Sequence, residues 1–259
     1  MKIYSWNILF RNRELDRAFE FIARSDFDIF CLQEVPEDFL TRLKSLPLSV
    51  AAAPETDRLF KGVRSTQYVV VLSRYPIRTF EAIPLSYSGV NLPPRGRLFT
   101  RLMFALRLWA KGVGKRHAVY ADIETPRGIV RVFNLHLILA QPAWRLKEFE
   151  LAMTKRDPSR PTIVCGDFNT IEAPHISILN WLLGGRAGDV FFHKRERMHI
   201  EQRFVEYELV NTLAGSITHP LSRSQLDHIL VSHSFSIKNA EVISDKVGSD
   251  HNPIRVEVS

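Results

Sequence analysis

Short apolar and β-branched runs punctuate the chain at Lys2–Trp6, Ile29–Leu32, Tyr68–Leu72, His117–Ile123, Ile129–Leu137, Thr162–Cys165, Leu226–Val231 and Ile254–Val258. Their shortness and β-branched content predict strands. Apolar spacing of three to four residues recurs instead in Glu14–Arg24, Glu37–Ser45, Trp144–Thr154 and His175–Leu183, which predicts helices between the strands. Pro-Arg-Gly at 126–128 joins two alternating runs and predicts a hairpin turn. Helices and strands mixed in this way, without strict βαβ alternation, predict an α+β layered architecture. No repeat, low-complexity tract or Gly/Ser linker divides the chain, so residues 1–259 read as one domain.

Two stretches fit this plan poorly. In Leu98–Ala110 a helix would gather Arg97, Arg101, Arg107 and Lys111 on one side, and Leu98, Leu102, Ala105, Leu106 and Trp109 on the other. The same residues alternate as a strand, so periodicity does not decide between the two. The second stretch, Phe191–Arg203, contains His193-Lys194-Arg195-Glu196-Arg197 and reads as a charged loop or helix start.

Composition adds one bias. The 259 residues are 45% hydrophobic, enough for a sizeable core, and carry a net charge of +7. A basic surface favours polyanions such as nucleic acid, anionic lipid headgroups or soluble phosphates, although it also serves solubility alone. Cys31 and Cys165 sit inside apolar runs and read as buried strand thiols, which fits a reducing compartment. The sequence has no apolar core of signal-peptide length at its start and no stretch of ~18 uninterrupted apolar residues. The expectation is a cytoplasmic monomer for which a membrane surface is one peripheral contact.

Acidic, amide and histidine side chains cluster where the apolar runs stop. Gln33-Glu34 closes Asp28–Leu32, where a carboxylate at a sheet rim binds a hard cation through oxygen; alone, it reads more often as a helix N-terminal charge, because Pro36 and Glu37 begin a helix. Gly166-Asp167-Phe168-Asn169 follows Thr162–Cys165 and sets a carboxylate beside an amide, a pair able to orient a water and hold a phosphate oxygen; alone, it reads as an Asx turn. Asn134 and His136 share a strand face and can enter one pocket. Asp227 opens the run Leu226–Val231, and Ser249-Asp250-His251 precedes the last strand. An Asp that accepts the proton-bearing nitrogen of a histidine fixes its tautomer and favours the imidazolium, which suits a histidine facing a scissile phosphate.

With Trp6-Asn7 added, the ordered set is Trp6-Asn7, Leu32-Gln33-Glu34, Asn134-Leu135-His136, Gly166–Asn169, Leu226-Asp227-His228-Ile229 and Ser249-Asp250-His251. This set resembles the endonuclease/exonuclease/phosphatase superfamily across nearly the whole chain, and Leu72–Ile77 resembles the family's strand before its central hairpin. The resemblance implies a four-layer α/β sandwich: two mixed β-sheets packed face to face, helices outside, the active site at one rim. It also implies hydrolysis of a phosphate ester with Mg²⁺, or with Mn²⁺ in its place. On this resemblance Glu34 is the principal metal ligand, with Asn7 and Asp250 near the metal. Asp167 orients or deprotonates the water and Asn169 holds a phosphoryl oxygen. His251, backed by Asp227, stabilises the developing charge, and His136, with Asn134 beside it, supports the phosphoryl oxygens from the other side.

Leu9 stands where abasic-site endonucleases carry an acid, and Asn134-Leu135-His136 stands in place of their Tyr-containing segment. The Asn-x-His form is closer to the branch of sphingomyelinases, deadenylases and inositol-polyphosphate phosphatases. The expected function is a metal-dependent phosphodiesterase of the nuclease type, endo- or exonucleolytic, with nucleic acid the favoured partner. The rivals are a lipid phosphodiesterase or phosphatase docking through 97–111, and a non-catalytic phosphate-binding member. The basic insertion at about 97–114 reads as an edge helix or lid, a membrane-facing element, or a nucleic-acid contact through Arg97, Arg101 and Trp109.

Overall fold

The structure, a computed structural model, describes residues 1–85, 92–108, 111–192 and 194–259. Thirteen strands are formed among these: β1 (Lys2–Asn7), β2 (Ile29–Pro36), β3 (Ser49–Phe60), β4 (Val63–Ser73), β5 (Ile77–Leu85), β6 (Lys111–Val113), β7 (Arg116–Thr125), β8 (Gly128–His136), β9 (Thr162–Asp167), β10 (Leu209–Asn211), β11 (Asp227–Ser232), β12 (Ile237–Val242) and β13 (Ile254–Val258). The helices are α1 (Leu15–Arg24), α2 (Glu37–Leu43), α3 (Pro94–Ala105), α4 (Pro142–Met153), α5 (Pro174–Leu182), α6 (Gly188–Phe191) and α7 (Arg195–Glu206). All eight expected strands and four expected helices are present, with ends moved by a few residues.

Among the described residues the strands form a seven-stranded sheet, β12-β13-β1-β2-β4-β3-β6, and a six-stranded sheet, β10-β11-β9-β8-β7-β5. Both are mixed: β1 runs parallel to β2 and β8 parallel to β9, while their other neighbours are antiparallel. Inward-facing residues of the two sheets, among them Ile3, Ile29, Val71, Val119, Val132, Ile163 and Ile229, interleave in one buried core. On the outer face of the first sheet, Ala18 and Ile22 of α1 and Phe39 and Leu43 of α2 cover Tyr4, Phe30 and Leu32. On the outer face of the second, Phe149 and Met153 of α4 and Ile200 and Phe204 of α7 cover Phe133, Leu135 and Leu230. The result is the four-layer α/β sandwich expected of the sequence.

Sequence periodicity missed β3, β5, β6, β10 and β12. Five of the nine residues of β5 from Arg78 to Ala82 are exposed, so it lacks the alternation that marks a half-buried strand. The undecided stretch is helical over α3, with Trp109 and Ala110 outside the described residues. The basic stretch around Arg195 continues as helix α7, with His193 also outside them. The 126–128 turn joins β7 to β8, with Thr125 opposite Gly128.

Candidate active site

Register brings the functional side chains to one rim. Asn7 pairs with Gln33, His136 with Asp167, and Asp167 with Asp227, so the ends of β1, β2, β8 and β9 and the start of β11 lie together. The close approach of β8 to β9 depends on Gly166, whose φ is +140° and where a Cβ would fall 1.8 Å from Leu135 O. At β2 the register shifts between Leu32 and Val35, and Glu34 takes a φ of 56°. This bulge turns Gln33 inward, where its amide donates to Asn134, and leaves Glu34 at the rim.

Asp167 is the centre. Its Oδ2 accepts from Asn7 Nδ2 at 3.0 Å and lies 3.6 Å from His136 Nε2 and 3.7 Å from His251 Nε2. Its Oδ1 accepts the Asn169 N–H at 2.8 Å, an Asx turn that aims the carboxylate. Behind each histidine stands a second acid. His251 Nδ1 lies 2.9 Å from Asp227 Oδ2, and His136 Nδ1 lies 2.8 Å from Glu55 Oε1. Thr218 Oγ1 donates to Asp227 Oδ2 at 2.7 Å and accepts the Asp227 N–H, holding that carboxylate in place. Two acid–histidine dyads therefore converge from opposite sides on one buried carboxylate.

Burial of all these groups opposes charge, and the ion pairs outweigh it. Burial would push His251 down, but Asp227 and Asp167 raise it from 6.5 to about 10. Burial likewise opposes the His136 cation, and Glu55 overcomes it, so His136 is also raised. Asp167 pays the same burial penalty, yet His251 and His136 hold it below the ordinary carboxylate range. An ionised Asp167 beside a cationic His251 is thus favoured, and the same pairing shifts His136 towards its cation.

Asn169 donates one amide N–H to Leu137 O at 2.8 Å, which fixes the side chain at the lip of the rim. His228, next to Asp227, points to the other face of β11 by strand alternation. There Arg197 donates to its Nε2 at 2.6 Å, and burial together with that guanidinium keeps it neutral.

One expectation needs correction. Asn134 is fully buried beneath the site: its amide donates to Leu32 O and Val70 O, both at 2.9 Å, and accepts from Gln33 at 2.7 Å. It shares a face with His136 but lies two residues deeper, about 6–7 Å at strand rise, and so ties the two sheets together instead of reaching substrate. Asp250, expected near the metal, lies in one of the two groups of closely spaced ligand atoms, with His219 and His251. Its Oδ2 is 3.8 Å from His219 Nε2 and its Oδ1 3.9 Å from His251 Nε2. The reason is the turn: Ser249 Oγ donates to Asn7 O and accepts the His251 N–H, directing His251 inward and leaving Asp250 half-exposed. Arg97 and Arg101 lie on α3, exposed, with Arg97 Nε donating to Leu92 O. Trp109 lies outside the described residues.

Sequence reasoning missed Glu55, Arg58, Thr218 and His219. Glu55 is 1% exposed, and its Oε2 accepts the Glu34 N–H at 3.0 Å. The signal was an acid directly after the small apolar run Ala51-Ala52-Ala53-Pro54. His219 stacks on His251 with ring centroids 4.6 Å apart; the Thr218-His219 pair before Pro220 was the cue.

Whether the rim suits a divalent cation turns on its acidic pole. Glu34 Oε2 accepts the Phe10 N–H at 3.1 Å, and its Oε1 is met by Arg58 Nη2 at 2.8 Å. Arg58 also lies 3.8 Å from Glu55, so a guanidinium already stands where two carboxylates call for positive charge. With the oxygen of Asn7 nearby in chain register, Glu34 offers the hard donors that Mg²⁺ prefers. Two groups of closely spaced ligand atoms occur among the described residues, Asp167 with Asp227 and His251, and His219 with Asp250 and His251; neither includes Glu34.

The profile of the Endonuclease/Exonuclease/phosphatase family matches residues 4–251. The chain belongs to this family. No curated protein matches it. Among solved structures it is similar to an endonuclease/exonuclease/phosphatase family protein from Leptotrichia buccalis, with 16% identity and a TM-score of 0.67 over 100% of this chain and 99% of that one. It is also similar to a 3′ phosphatase from Neisseria bound to product DNA hairpin, at 17% identity and TM-score 0.62, covering 100% and 99%. A mannosyl-6-phosphatase from Bacteroides thetaiotaomicron matches at 20% identity and TM-score 0.59, again covering 100% and 99%. Identities this low establish the fold, and membership of the family makes the chain a phosphoesterase-type protein. The family is typically dependent on divalent metal.

Proposed function

We propose that this family member is a divalent-metal-dependent hydrolase of phosphodiester bonds that acts by in-line attack of an activated water. The observation that carries the reading is the meeting of Asn7, His136 and His251 on a single oxygen of Asp167. Ionised Asp167 orients the water and takes its proton as attack proceeds. His251, kept cationic by Asp227, and His136, shifted towards its cation by Glu55, face the phosphoryl oxygens as their charge grows. Asn169 positions a further phosphoryl oxygen from the lip. Glu34 and Asn7 would hold the ion, Mg²⁺ or Mn²⁺, whose chemistry when bound is Lewis-acid polarisation of the phosphate.

Nucleic acid is the first substrate class we assign. Supporting it, Arg11 lies over the Phe10 and Phe60 rings at 5.2 and 4.7 Å, and Phe10 contacts Glu34, so a basic, aromatic patch borders the rim. A phosphate-bearing amphiphile is the second class, favoured by the exposed leucines of α3.

The test is a panel of oligonucleotides, sphingomyelin, phosphoinositides and bis(4-nitrophenyl) phosphate, assayed with EDTA and after return of Mg²⁺ or Mn²⁺. The expected outcome is metal-restored cleavage of at least one member. Absence of metal-dependent cleavage throughout the panel overturns the reading.

A further inference from the structure

We infer that the surface running from α3 through α5 to α6 docks on an anionic phospholipid bilayer. The inference deepens the second substrate reading and rests on it only for its catalytic consequence.

α3 lies with Gly96 against the end of α5, where a Cβ would come within 3.2 Å of Leu182 O. Its opposite side is apolar and open: Leu98 is 71% exposed, Leu102 53% and Leu106 57%, at one-turn spacing. Ile178 of α5 and Phe191 of α6 are exposed as well. Phe191, Phe192 and Met198, with Lys194 and Arg195, line a shallow depression of about 620 Å³. Between α5 and the active-site lip lies the loop from Ile217 to Leu221, both exposed. His175 at the start of α5 meets Leu221 O at 3.3 Å, and His219 in the same loop stacks on His251.

Charge selects the occupant. From Leu92 to Leu108 there are four arginines and no acid, and Arg97, Arg101, Arg107, Lys194 and Arg195 are exposed. Leucines interleaved with arginines match an interface where acyl chains lie beneath a layer of phosphates. A second copy of the chain would set arginine against arginine across a two-fold axis. A nucleic acid would meet the arginines but leave the leucines in water.

The test uses the full chain carrying Asp167→Asn, so that hydrolysis does not alter the vesicles. Co-sedimentation is measured with phosphatidylcholine vesicles and with mixed phosphatidylcholine–phosphatidylglycerol vesicles. Binding to the mixed vesicles is expected, and Leu98→Asp, Leu102→Asp and Leu106→Asp together should weaken it by about tenfold or more. Arg101→Glu with Arg107→Glu, a change confined to exposed charge, should remove the preference for anionic vesicles. In the otherwise unaltered chain, the leucine variant should keep its activity on soluble bis(4-nitrophenyl) phosphate. No binding to anionic vesicles, or binding that survives both sets of substitutions, overturns the inference. So does a dimer in light scattering that the leucine variant dissolves without any vesicle binding. Vesicle binding in a chain that hydrolyses no phosphate ester would overturn the proposed function and leave docking standing.

Discussion

At the rim, Glu55, Asp167 and Asp227 are buried, and each lies against a histidine; along α3 and α6, Leu98, Leu102, Leu106 and Phe191 stand in solvent beside exposed cations. Both regions go against the usual placement of their residue types. A buried charge survives only where the fold supplies its partner, because leaving one side of such a pair alone costs several kcal/mol. An exposed apolar face has no such internal remedy and is completed by something from outside. The rim is therefore closed upon itself and chemically specific, while the belt is open and selects a surface.

Breaking the centre of the rim should have the largest effect. Asp167→Asn should lower kcat by about 10³-fold or more by removing the proton acceptor, with the circular dichroism spectrum unchanged. Activity within tenfold of the parent would refute its role. The dyads come next. Asp227→Asn should cost on the order of 10²-fold, and Glu55→Gln about tenfold, because each histidine loses the acid that favours its cation and orients it. NMR titration of the two imidazoles should show both pKa values fall; a drop in activity without that fall would make the acids merely structural.

The smallest expected effect is on stability in EDTA. His251 is raised from 6.5 to about 10, so the folded state binds its proton more tightly than the unfolded state does. Its stabilisation is complete below about pH 6.5 and is lost as pH rises towards about 10. Urea midpoints across that range should fall more steeply in the parent than in Asp227→Asn. Parallel curves would contradict the dyad.

Much of the rim was legible because a functional residue at the end of an apolar run is a local signal. Asn7, Glu34, His136, Asp167, Asn169, Asp227 and His251 each sit where a strand stops or starts. Glu55 left one weak cue, its place after Ala51–Pro54, but β3 opens Ser-Val-Ala-Ala-Ala-Pro and carries a register shift between Pro54 and Thr56. Nothing local announces it as a strand, still less as the partner of a histidine 81 residues away. Asn134 was legible as an inward residue but not in its depth. The α3 segment shows the reverse failure: its composition was plain, and only packing against α5 decided that its arginines and leucines would face solvent.

By itself, then, the sequence determined the chemical inventory, the order of the motifs and the layered α+β plan, all of which are written in short-range patterns. Tertiary structure alone decided the partnerships: His136 with Glu55, Arg58 on Glu34, His219 against His251, and Asp250 beside His219. Which carboxylate stands behind which imidazole depends on strand register and on the packing of one sheet over the other. Those distances of a few ångströms fix the charge of each group, and no periodicity along the chain encodes them.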